Sequence, residues 1–237
     1  MIPDSLPIFF VVLAVALAGI AAWAVGHVAG RRAGWIAAAV LAGWLAATGA
    51  AAAAGALRFW PIPPTMLLVV AGGAGGAVWA ARSRLGARMA AEIPLSLLVG
   101  VQGFRLPLEL MMHRAAEVGL MPVQMSFEGL NFDVVSGALA IVVGVLAAYG
   151  RAPRALVAAW AVLGSLLLAN VLVIAVLSAP TPLRMFWNEP ANVWITTFPY
   201  VWLPAVMVPA AIFGHLLVFR RLARDTAAGR HPSLEAR

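Results

Sequence analysis

Seven apolar runs, each long enough to cross a bilayer, alternate with short connections that carry nearly all of the arginine. A membrane-crossing helix needs about 20 apolar residues at about 1.5 Å rise each. The runs cover residues 7–26, 35–57, 65–81, a segment within 93–120, 132–150, 155–177 and 198–219. Of 237 residues, 63% are hydrophobic and 11% are charged, well under the roughly 25% charged residues of a soluble protein. The expected fold class is therefore all-α: a polytopic transmembrane helix bundle of seven spans over residues 1–222, followed by a short disordered cytoplasmic tail, 223–237. The opening MIPDSLP has no basic residue, and the run after it is long enough to span, so it predicts a first membrane helix and not a cleaved signal peptide.

All 16 basic residues are arginine, and their placement predicts orientation. Arg31, Arg32, Arg82, Arg84, Arg88, Arg151 and Arg154 fall in alternate connections, and Arg220, Arg221, Arg224, Arg230 and Arg237 follow the last run. Only Arg58, Arg114 and Arg184 fall on the other side, and Arg105 lies inside a run. The arginine-rich side is expected to be cytoplasmic, which places the N-terminus outside. The formal charge of +7 thus reads as a topology signal, with no nucleic-acid partner expected. Phe59, Trp60, Trp187, Trp194, Tyr200 and Trp202 fall near the outer ends of the runs, and Trp35 and Tyr149 near the inner ends, as amphipathic rings favour interfaces. With no cysteine, the chain forms no disulfide or thiolate metal site. With no lysine, it cannot carry retinal as a Schiff base.

The fourth run contains QGFRLPLELMMH, residues 102–113. On a helix turning about 100° per residue, Gln102, Arg105, Glu109 and His113 occupy an arc of roughly 80° and climb about 16 Å. A charge at mid-membrane costs about 2.5–3.5 kcal/mol on insertion scales. The stripe is therefore expected to face the bundle interior or a wet cavity, with Arg105 and Glu109 pairing four residues apart. The competing expectation is a structural ion pair that locks helix packing. The next connection, MPVQMSFEGLNFD, brings Gln124, Ser126, Glu128, Asn131 and Asp133 to the outer mouth. Glu128, Asn131 and Asp133 are candidate ligand-binding residues, although Asn131 or Asp133 also suits a helix cap. Asn170 is placed to complete the cavity wall or to make an interhelical hydrogen bond. Trp187, Asn188, Glu189 and Asn192 form a lid or an interfacial loop. Pro199, Pro204 and Pro209 each remove an N–H from the last run, freeing carbonyls that need partners.

Glu109 and His113 make E-x-x-x-H, two ligands on one face, but no second histidine is expected at that depth, so no metal site is assigned. His27 and His215 are expected near cytoplasmic helix ends as hydrated or capping side chains, and His231 in the tail as a solvated one. No haem or other cofactor is assigned. In the third run Gly72 and Gly76 share a face, which suits close helix packing or an oligomer contact.

The segment QGFRLPLELMMH, followed by MPVQMSFEG and NFD, resembles a pattern in uncharacterised multi-pass bacterial membrane proteins, over roughly 40 of 237 residues. That resemblance implies no activity. In span count alone the chain is similar to seven-helix receptors, rhodopsins and ceramidase-type zinc hydrolases; it lacks the lysine of rhodopsins and the clustered histidines of the hydrolases. The expectation is a bacterial inner-membrane protein whose outward-facing polar cavity binds or moves a small polar or anionic solute or ion. The alternatives are a membrane-embedded, metal-assisted enzyme using Glu109, His113 and Glu128, and an accessory subunit whose stripe grips a partner helix.

Overall fold

A computed structural model describes residues 5–58, 60 and 63–229. Met1, Phe59, Arg230, His231 and Arg237 lie outside the described residues, so the aromatic and tail expectations that rest on them have no structural counterpart. Among the described residues the chain is all-helical, with no strand. Six helices are long and apolar enough to cross a membrane: Ser5–Ala29, Arg31–Ala53, Thr65–Arg82, Leu95–Glu117, Arg154–Leu177 and Leu203–Thr226. A seventh apolar helix, Asp133–Ala148, is shorter.

In chain order the α-helices are α1 Ser5–Ala29, α2 Arg31–Ala53, α3 Thr65–Arg82, α4 Arg84–Glu92, α5 Leu95–Gly100, α6 Arg105–Glu117, α7 Asp133–Ala148, α8 Arg154–Leu177 and α9 Val208–Gly229. A one-residue link, Gly30 at φ 93°, turns α1 back on α2; that left-handed conformation suits a residue without a Cβ. α1 packs on α2, α3 on α9, α7 on α5, α6 and α8, and α8 on α9. The α5–α7 contact depends on glycine at position 144, because a Cβ on Gly144 would lie 2.8 Å from the Gly100 Cα. Such close backbone approach is how helices gain contact where lipid supplies no hydrophobic drive. The face of Gly72 in α3 is taken by Trp44 of α2, whereas Gly76 opens onto free space.

The last predicted span starts later than the sequence suggests, at Leu203 and not Phe198, and the connections after α6 and α8 fold back into the bundle. Met121, Gln124, Met125, Ser126 and Asn131 of the first are buried, as are Asn192, Trp194, Thr196, Tyr200 and Trp202 of the second. Trp194, Tyr200 and Trp202 are thus core residues and not part of an interfacial belt; Trp187 alone of that segment's tryptophans stays 74% exposed. Irregular backbone at membrane depth is tolerated where protein covers it. α7 is left with 16 residues, about 24 Å at helical rise. The last span begins at Leu203 with a π-type turn, Leu203–Met207, and α9 runs on to Gly229, past the expected boundary at residue 222.

Proline chemistry accounts for that turn. Pro209 has no N–H to return to the Ala205 carbonyl, and the Trp44 indole donates to that oxygen instead at 2.8 Å. At the arginine-rich end, side chains satisfy the open carbonyls of helix C-termini. Arg220 donates to Ala81 O and Ser83 O after α3. Arg221 donates to Ala90 O, Ala91 O and Ile93 O after α4, and Arg88 donates to Val28 O at the end of α1.

Candidate functional site

The fourth predicted span is one hydrophobic segment but not one α-helix. Residues Val101–Phe104 form a 3-10 turn between α5 and α6. Gln102 therefore leaves the α-helical stripe. It is buried against α9, where its amide lies 3.4 Å from Ala210 O and where a Cβ on Gly214 would overlap it.

Arg105 begins α6 and is 1% exposed. It does not pair with Glu109. Its Nε donates to Asp133 Oδ2 at 2.6 Å, its Nη2 donates to Asp133 Oδ1, and the same Nη2 donates to Gly164 O at 3.0 Å. Nη1 lies 2.8 Å from His215 Nε2. A guanidinium presents a planar fork of donors, and Asp133 takes it two-pronged. Geometry explains the choice of partner. A side chain at the first turn of α6 points back towards the helix start, where the short α7 places Asp133. Asp133 is not a side-chain cap: its own N–H is held by Asn131 Oδ1 at 3.1 Å.

Glu109, 2% exposed, meets Asn131 instead, whose Nδ2 donates to Glu109 Oε2 at 2.7 Å and to Met125 O at 3.0 Å. Asn131 thus links the two acidic residues, its oxygen accepting from the Asp133 backbone N–H and its nitrogen donating to the Glu109 carboxyl. The five side chains of Arg105, Asp133, His215, Asn131 and Glu109 form one buried assembly between two apolar cores. Leu98, Val99, Trp160 and Leu217 belong to one core, and Leu108, Met112, Trp194 and Met207 to the other.

A cavity of about 60 Å³ adjoins the assembly. Arg105, Glu109 and Asp133 are the charged residues in its wall, and Leu108, Met112, Leu172 and Met207 are among its apolar ones. A water needs roughly 10–15 Å³ of such space, so the cavity takes a few water-sized groups and not a metabolite.

His215 is the residue that sequence reading misplaced. It is 3% exposed and bonded to Arg105, not hydrated at a helix end. Because the last span begins at Leu203 and ends at Thr226, His215 falls near its middle, at the depth of Arg105. An ionisable residue inside an apolar run was the signal available. Gly164 completes the setting: its carbonyl accepts from Arg105, and a Cβ there would lie 2.6 Å from His215 Cε1, so glycine is needed to clear the ring.

The remaining expected site residues lie elsewhere. His113 is half-buried further along α6, its ring 4.3 Å from that of Phe127. Its Nε2 is 3.7 Å from Glu117 and 3.8 Å from Glu128, too long for hydrogen bonds. Glu128 is exposed, and Asn170, half-buried, donates to Leu130 O at 2.8 Å. Glu109 therefore turns into the buried assembly, while His113 and Glu128 approach each other away from it. Among the described residues no three His, Asp or Glu side chains are grouped to hold a metal ion. The segment after α8 is tied down: Asn188 donates to Gln124 Oε1 at 2.5 Å, Gln124 to Ser178 Oγ at 2.8 Å, and Asn192 to Ala175 O at 2.9 Å. Arg184, bonded to Glu189 at 2.9 Å, holds that exposed carboxyl below the usual carboxylate range, with help from the Ala191 N–H.

Fold and site together define an all-helical, multi-pass membrane protein with a buried ionic assembly in its interior. No family model, curated protein or solved structure matches the chain.

Proposed function

We propose that the chain is a seven-span protein of the bacterial inner membrane, N-terminus outside, that binds a proton or a small cation in the cavity beside Glu109. The alternation of arginines supports seven spans and this orientation, with α7 counted as the span whose outer end is covered by a folded-in connection. One observation carries the functional reading: there are two buried carboxyls for one guanidinium. Asp133 occupies Arg105 from both oxygens, so Glu109 lines the cavity with only an amide for a partner. A buried carboxylate without a counter-charge is expensive. A proton or a small cation in the cavity removes that cost, whereas an anionic ligand would raise it. The cavity volume selects the same class. Binding of this kind serves a transporter-like or sensor-like module, and any self-association would use the open Gly76 side of α3.

Ligands that bind the folded state raise its melting temperature. The wild-type protein in detergent should melt higher as a monovalent cation is added or as pH is lowered, and Glu109→Gln should abolish that dependence. Equal dependence in both proteins would reject the reading.

A further inference from the structure

A second recess, of about 230 Å³, opens between α8 and α9. Its walls are Leu168, Ala169 and Leu172 on α8 and Ile212, Leu216 and Phe219 on α9, with His215 among them. Ser165 adds no free polarity, because its hydroxyl donates to Ala161 O at 2.8 Å. The recess is an apolar trough with one polar side chain.

That side chain has a defined tautomer. Arginine carries donors only, so the His215 Nε2 beside Arg105 Nη1 accepts. A neutral imidazole then holds its hydrogen on Nδ1, and Nδ1 has no hydrogen-bond partner among the described residues. The ring cannot turn away freely: Trp160 lies against it at 5.1 Å and Gly164 lies beneath its edge. His215 lines the recess, and its Nδ1–H, itself buried, is held in place without an acceptor among the described residues.

Depth restricts what supplies one. Leu203–Thr226 is the apolar helix, and His215 sits roughly 16–18 Å from either end at helical rise. Phospholipid ester carbonyls lie near the interfaces, not at this depth, and a charged headgroup would meet the hydrocarbon penalty. An uncharged ring bearing carbonyl oxygens dissolves in the bilayer core. We propose that the α8–α9 recess binds a quinone-class molecule, with one carbonyl oxygen accepting from His215 Nδ1–H and the ring lying against Leu168, Leu172 and Leu216. The volume suits a ring head, and an isoprenoid tail would leave along the crease between the two helices into lipid. The recess shares Leu168 and Leu172 with the wall of the Glu109 cavity, but the proposal does not rest on how that cavity is used.

The test is equilibrium binding of decylubiquinone to the purified full-length protein in detergent, followed by quenching of tryptophan fluorescence. Saturable binding is expected, weakened at least tenfold in His215→Phe. Ala169→Trp fills the recess from its exposed rim without touching the ionic assembly, and it should weaken binding equally with unchanged melting; it carries the test should His215→Phe fail to fold. The proposal is overturned by non-saturable binding to the wild type, by undiminished affinity in Ala169→Trp, or by a stoichiometric phospholipid that Ala169→Trp expels.

Discussion

The connections after α6 and α8 are built from the same local device and put to different uses. Each contains a 3-10 turn, Val123–Met125 in one and Trp194–Thr196 in the other. Each turn is closed by a hydroxyl reaching back three residues: Ser126 donates to Val123 O at 2.9 Å and Thr197 to Trp194 O at 2.6 Å. A phenylalanine follows in both, Phe127 and Phe198. The first connection then delivers polar side chains, Asn131 and Asp133, to the ionic assembly. The second delivers aromatic ones: Trp194, Tyr200 and Phe10 meet with ring centroids 5.1–5.7 Å apart. A buried loop in a membrane protein thus needs its own backbone satisfied first, and its cargo is then free to be ionic or apolar.

The largest effects should come from the cargo. Asp133→Ala leaves the Arg105 charge buried without its partner and should cost about 3–5 kcal/mol, while Trp194→Ala opens a hole in the aromatic cluster and should cost about 3–5 kcal/mol. The two losses differ in kind: Trp194→Phe should recover much of the apolar term, whereas Asp133→Leu should recover nothing. Unfolding of the detergent-solubilised variants measures this, and an Asp133→Leu protein as stable as the wild type would remove the distinction.

Smaller effects should come from the device. Ser126→Ala and Thr197→Val each delete one hydroxyl bond, worth about 0.5–1.5 kcal/mol. If the two turns are equivalent, the losses should agree; a cost confined to one turn would mark the other as ornament.

The smallest effect distinguishes the connections by pH. Glu189 belongs to the second alone. Its carboxyl is held low by Arg184, so its contribution is present above the ordinary value of 4.5 and fades as pH falls through the lower folded value. Glu189→Gln should therefore melt slightly lower than the wild type at neutral pH and converge with it in acid. A gap that persists unchanged in acid would show that the Arg184 pair is not its source.

The amino-acid sequence determined the class of this protein, because hydrophobicity is a property of consecutive residues. The apolar helices were legible from it, as was the concentration of arginine at one end of the bundle. So was the inward turn of Arg105 and Glu109, since charge inside an apolar run has few other outcomes; Asn131 and Asp133 were expected at an outer mouth or as a helix cap, and their burial came from the way the connection folds in. Tertiary structure decided which of them meet. Arg105 and Glu109 were the obvious pair on one helix, yet a 3-10 turn and a short α7 set Asp133 before the guanidinium and left Glu109 to Asn131. His215 joined from a helix whose register depended on where the second connection ends. Gly164 entered because its missing side chain leaves room for the ring. None of these contacts is encoded by spacing along one helix, because each depends on the distance between two helices, and that is set by packing.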